Sequence, residues 1–99
     1  MISNIRTLLL DVLKPHDPSV IELAQRLVAL ECIEGVEINV IEVDARTETV
    51  TVSLVGRAVD FDAVRAAIEE AGATIHSVDQ VSAGAPLAPA ALPESVDEG

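Results

Sequence analysis

The sequence predicts an α+β fold, and three observations predict it. Val36 to Gly56 reads as a β-hairpin, because β-branched residues fill both arms and apolar and polar positions alternate along the second. One extended segment and one helical segment precede this hairpin. One helical segment and one extended segment follow it. The order β-α-β-β-α-β matches the ferredoxin-like sandwich: an antiparallel sheet ordered 4-1-3-2, with both helices on one face.

The first strand spans Ile5 to Lys14. Leu8, Leu10 and Val12 share one face, while Thr7, Leu9, Asp11 and Leu13 share the other. Both faces are largely apolar, as in a central strand covered on each side. Pro15 ends it. Asp17 offers an N-cap with Pro18 in the first helical position, and Ser19 with Glu22 forms a competing capping box. The helix is expected to run to about Cys32, with Val20, Leu23, Ala24, Leu27 and Val28 on its buried face. Glu34-Gly35 breaks the chain before the hairpin, whose arms are joined by the polar connection Ala45 to Glu48. Asp60 caps a second helix with the stripe Phe61, Val64, Ile68 and Ala71, ending at Ala71-Gly72. The last strand, Thr74 to Val81, alternates less clearly. Residues 1–84 are expected to form the domain, and residues 85–99 a disordered, acidic, Ala/Pro-rich tail.

Ninety-nine residues suffice for one domain with a thin core, which makes a partner surface useful. No apolar run approaches the roughly 20 residues that span a bilayer. No basic, apolar and small-residue leader pattern follows Met1, so a cytoplasmic location is expected. Cys32 stands alone and excludes an internal disulfide; its simplest role is a small buried hydrophobe at a helix end. The formal charge of −11 repels phosphate backbones and anionic membranes, arguing against nucleic-acid and membrane partners. Many carboxylates, one lysine (Lys14) and one aromatic residue (Phe61) together point to a halophilic setting, where salt screens self-repulsion.

The predicted topology carries the functional expectations. The first and second strands end at one edge of the sheet. The third and fourth strands and the first helix begin there, and the second helix finishes there. Lys14, His16, Asp17, Glu42, Asp44, Glu48 and His76 are therefore expected to gather at that edge. Placing His76 across from Leu13 puts Asp79 across from Leu10, one pleat from Asp11. The face away from the helices is expected to expose Leu9, Leu13, Val55 and one apolar set of the second strand. Such a patch favours self-association.

Leu10-Asp-Val-Leu-Lys-Pro-His16, Val40-Ile-Glu-Val-Asp44 followed by Thr47-Glu48, and Ile75-His-Ser-Val-Asp79 followed by Ala83-Gly84 carry a resemblance. In content, order and spacing these phrases resemble an archaeal family of small proteins, domain-of-unknown-function family 211. The likeness covers roughly residues 5–84. It implies a ferredoxin-like fold and homo-oligomers, closed rings among them. It supplies no activity and no catalytic residue. The Ala/Pro-rich tail and the strong acidity depart from the family pattern.

Three functional readings follow. The first is a homo-oligomeric, regulatory binding domain that takes a small polar ligand or ion at Asp11, Lys14, His16, His76 and Asp79. Glu42, Asp44 and Glu48 are the candidate ligands for a divalent metal ion. The second is a purely structural unit of a ring or shell. The third is a metal-dependent enzyme using the His16/His76/Asp edge, with Lys14 and Asp11 or His76 as an acid–base pair. Against these stands the plainer reading of solvated charges and of Lys14 as a counter-charge to nearby carboxylates. No metal-binding spacing, nucleophilic triad or Gly-rich phosphate loop supports catalysis. Ser77 adjoins His76, but strand neighbours point to opposite faces. Asp60/Asp62 and Glu69/Glu70 belong to helix ends. With Phe61 the one aromatic residue, a small polar ligand or an ion suits the chain better than a cofactor ring.

Overall fold

The computed structural model describes residues 4–84, so the expected tail lies outside the described residues. The elements follow the expected order: β1 (Ile5–Pro15), α1 (Val20–Val28), β2 (Gly35–Val43), β3 (Thr47–Val55), α2 (Phe61–Glu70) and β4 (Thr74–Ala83). The strands form one antiparallel sheet in the order β2-β3-β1-β4, which is the expected 4-1-3-2 order read from the other side.

The core lies between one face of this sheet and the two helices. Leu8, Leu10 and Val12 of β1 and Val50, Val52 and Leu54 of β3 are buried against Leu23 and Leu27 of α1 and Val64 and Ile68 of α2. Antiparallel pairing sets Leu8 opposite Leu54, Leu10 opposite Val52 and Val12 opposite Val50. Directly opposed residues share a face, so these pairs make one continuous apolar layer. Only this face is covered. On the reverse of β1, Leu13 is exposed, as expected of the face away from the helices, while Thr7, Leu9 and Asp11 are half-buried.

At α1 the structure selects between the two expected caps at the start, and the end differs from expectation. Ser19, rather than Asp17, caps α1: its side chain accepts the Glu22 N–H, and Glu22 adds an acidic residue to the first turn. The helix ends at Val28 instead of continuing to Cys32. Short turns through Leu30 then deliver Ile33 into the core, so burial of Ile33 overrides helical continuation. Cys32, partly buried, packs against that core from the connection rather than from a helix end. In α2 the expected Asp60 cap accepts the Ala63 N–H.

The edge strands are irregular. Ile41 has no partner between the pairs Val40–Val50 and Glu42–Thr49. In β4 the register skips His76 and Asp79, with Ile75, Val78 and Val81 set opposite Val12, Leu10 and Leu8. These apolar residues recur every third position because each skipped residue is a bulge. That spacing explains why β4 alternates poorly as a sequence.

Candidate functional site

Strand alternation divides the expected edge cluster between two faces. Lys14 and Glu48 are paired across β1 and β3, and the next pair, Leu13 and Thr49, points the other way. The first pair belongs to the rim of the helix-covered side. The second belongs to the open side.

At the rim, Lys14 is only 1% exposed, the one buried side chain of the described residues that ends in an amine. Its Nζ donates to the Pro15 carbonyl at 2.7 Å and to Glu48 Oε1 at 3.1 Å. Glu48 Oε2 lies 3.0 Å from His16 Nδ1, and His16 Nε2 lies 3.0 Å from the Ala45 carbonyl oxygen. Lys14, Glu48, His16 and the β2–β3 turn thus form one bonded chain. Hydrogen bonds from Glu48 and then Ala45 raise the His16 pKa above its ordinary 6.5. Hydrogen bonds from His16 and then Lys14 lower that of Glu48 below its ordinary 4.5. The rim therefore favours a carboxylate anion on Glu48 and an imidazolium on His16.

On the open side, Asp11, Leu13, Thr49 and His76 line a shallow depression of about 280 Å³. Asp11 is half-buried at mid-strand, opposite Thr51 on β3 and Ser77 on β4. Among the described residues, no hydrogen bond or ion pair joins its carboxylate to another side chain. His76 reaches this depression from its bulge on β4.

The remaining candidates lie elsewhere. Thr74, not His76, pairs with Leu13, and Val78, not Asp79, pairs with Leu10, because two bulges lengthen β4 relative to β1. Asp79 accepts a 2.7 Å hydrogen bond from Ser77 and does not approach Asp11 through the expected pairing. Glu42 stands opposite Thr49, and Asp44 closes the turn through its main-chain N–H to the Thr47 carbonyl. Among the described residues, no three His, Cys, Asp or Glu side chains converge as a metal-holding group. Glu42, Asp44 and Glu48 do not converge as such a group among the described residues, and Glu48 is bonded to Lys14 and His16. His16 and His76 are likewise held in different places, which separates the expected His16/His76/Asp edge.

The open face is also more polar than expected. Val36 and Ile38 of β2 pack against the core, so no apolar set of β2 covers the reverse of the sheet. Leu9, Leu13 and Val55 remain there, among Thr7, Thr49, Thr51, Ser53 and Ser77. Other exposed apolar side chains lie on the edge strands, Val40, Ile41 and Val43 on β2 and Val78 and Val81 on β4, and on α1, Ile21 and Val28, the latter expected on that helix's buried face.

The family model described as DUF211, uncharacterized ArCR, matches residues 6–91. The chain belongs to this family. An uncharacterized protein of Methanocaldococcus jannaschii is 46% identical over 82 residues, covering 83% of this chain and 84% of the relative. This DUF211 protein thus shares its fold-forming segment with an archaeal relative over nearly the whole described region. The three phrases that resembled the family lie on the end of β1, the β2–β3 turn and β4. Those segments surround the rim and the open-face depression. Sequence reading named Asp11, Lys14, His16, Glu48 and His76 but missed Thr49 as a lining residue and the Ala45 carbonyl as a partner. The alternation in β3 could have shown that Thr49 faces away from the core. Nothing in the residue identities announces a main-chain acceptor.

Proposed function

We propose that this protein is a small self-associating binding domain that takes a compact polar ligand or ion in the depression between Asp11 and His76. The carrying observation is the half-buried Asp11 carboxylate, which has no side-chain partner among the described residues and opens into a depression with an imidazole on its wall. A carboxylate accepts hydrogen bonds or binds a cation, and a neutral imidazole can donate, accept or ligate. Two protein ligands leave a divalent ion's coordination incomplete, so water or a sister copy must supply the rest. Leu13 supplies an apolar wall beside the polar groups, as a small-molecule site requires. Leu9, Leu13 and Val55 give the same face something to cover, which supports self-association through it.

Thermal unfolding against divalent cations and small amines tests the binding reading. Stabilisation by one ligand that disappears in both Asp11→Asn and His76→Gln is the expected result. Stabilisation that persists in both variants, or no response across the panel, rejects this site. Native mass spectrometry at micromolar concentration is expected to show oligomers, and a monomer rejects self-association.

A second reading, a structural ring- or shell-forming unit, is favoured by the apolar residues exposed on both edge strands. Charges placed at Ile41 and Val78 would break such an assembly while leaving the core intact. Oligomers that resist both changes contradict edge-to-edge assembly.

A further inference from the structure

We propose that His16 is a protonation-controlled latch that fastens the β2–β3 turn to the end of β1. Both ring nitrogens face acceptors: Nδ1 meets the Glu48 carboxylate and Nε2 meets the Ala45 carbonyl, each at 3.0 Å. Neither a carboxylate nor a carbonyl has a proton to give. A neutral imidazole has one N–H and can serve only one of them. The imidazolium has two and serves both. The observed geometry is therefore complete only when His16 is protonated.

Deprotonation leaves a ring lone pair directed at an oxygen. The charge-assisted bond to Glu48 is the stronger of the two, so the Ala45 carbonyl is the partner released. Ala45 lies in the turn between β2 and β3, which is otherwise closed by the Asp44 N–H to Thr47 carbonyl bond. The charged groups engaged with the imidazole are Glu48 from β3 directly and Lys14 from β1 through Glu48. Asp44 and Arg46 in the turn, and Asp17 next in sequence, make no ion pair with it among the described residues. Neither does any charged group of α1, α2 or β4. The side chain is 43% exposed, so protons reach it from solvent. The raised pKa brings the change toward neutral pH.

The test is a pH titration of the full chain by nuclear magnetic resonance, with His76→Gln used to assign the two histidines. Both His16 nitrogens are expected to carry protons at about pH 6, with a midpoint above the ordinary histidine value. Through that midpoint the Ala45 carbonyl carbon shifts. Exchange of the Asp44 amide, corrected for base catalysis, accelerates several-fold. His16→Gln abolishes both responses. The wild-type titration stands as a test even if that variant folds poorly. The latch is overturned if His16 titrates at or below the ordinary value with one nitrogen protonated throughout. It is also overturned if Ala45 and Asp44 do not respond across the midpoint.

Discussion

Lys14 is the residue whose setting is least like its type. Burying an ammonium is unfavourable unless opposite charge and hydrogen bonds compensate, and here Glu48 and the Pro15 carbonyl do so. The pair need not add stability, because an apolar side chain of similar shape avoids the desolvation cost. Lys14→Met is therefore expected to melt at or above the wild-type temperature near pH 6. Glu48→Gln is expected to melt lower, since it leaves the buried cation facing a neutral amide. Thermal unfolding followed by circular dichroism checks the order, and Glu48→Gln outlasting Lys14→Met would contradict it. The pH dependence follows from the two shifts. The raised His16 value contributes stability that is complete below about 6.5 and lost as pH rises through the folded pKa. The lowered Glu48 value contributes stability present above about 4.5 and lost as pH falls through its folded pKa. The wild-type advantage over His16→Gln is thus expected to be larger at about pH 5.5 than at about pH 8.5. An advantage constant across that range would remove the ionic account. Lys14 was legible as a strand-end charge balanced by a carboxylate. Its choice of Glu48 over Glu42 or Asp44 was not, because it depends on cross-strand register.

At the scale of elements, local chemistry and packing divide the control. Ser19 caps α1 because its hydroxyl reaches the Glu22 N–H, and Ser19→Ala is expected to cost about 1 kcal/mol in a urea melt. An unchanged midpoint would mean that the cap contributes nothing. Gly56 has a different role. A Cβ there would collide with the Cys32 carbonyl oxygen, since the chain leaving β3 passes against the α1–β2 connection. Gly56→Ala is expected to cost roughly 1–3 kcal/mol by overpacking, and a cost near zero would show that the connection can yield. Gly72, at φ +84°, ends α2 in the left-handed region open to glycine, as the Ala71-Gly72 signal anticipated. The caps and glycines were readable because they act within a few residues of themselves. The bulges of β4 were visible only as poor alternation. They set Ile75, Val78 and Val81 opposite Val12, Leu10 and Leu8, a register that only the partner strand reveals.

The whole molecule combines a small core with a large charge. Leu10 is completely buried at the centre of the sheet, and Leu10→Ala is expected to cost about 2–5 kcal/mol by denaturant unfolding. A smaller loss would mean that the helices collapse into the space. The net charge of −11 opposes compaction, so the melting temperature is expected to rise between about 0.1 M and 2 M KCl as screening shortens. A stability maximum at low salt would remove the halophilic reading. The described residues contain no helix long and apolar enough to cross a membrane.

The sequence by itself determined the element order, the strand topology, the buried stripe of α2 and the family, because hydrophobic period, caps and phrase spacing are written along the chain. On α1 it placed Leu23 and Leu27 correctly, but Val28, expected on the buried face, is exposed because the helix ends there. Tertiary structure alone decided that the expected edge cluster splits in two. Adjacent strand residues point to opposite faces, so Lys14 and Glu48 turn toward the helices while Leu13 and Thr49 turn away. It also decided that His76 joins Asp11 while Asp79 does not, since a bulge changes which residues of β4 meet β1. Proximity in a topology diagram places residues at an edge; register and pleat determine which of them can share a ligand.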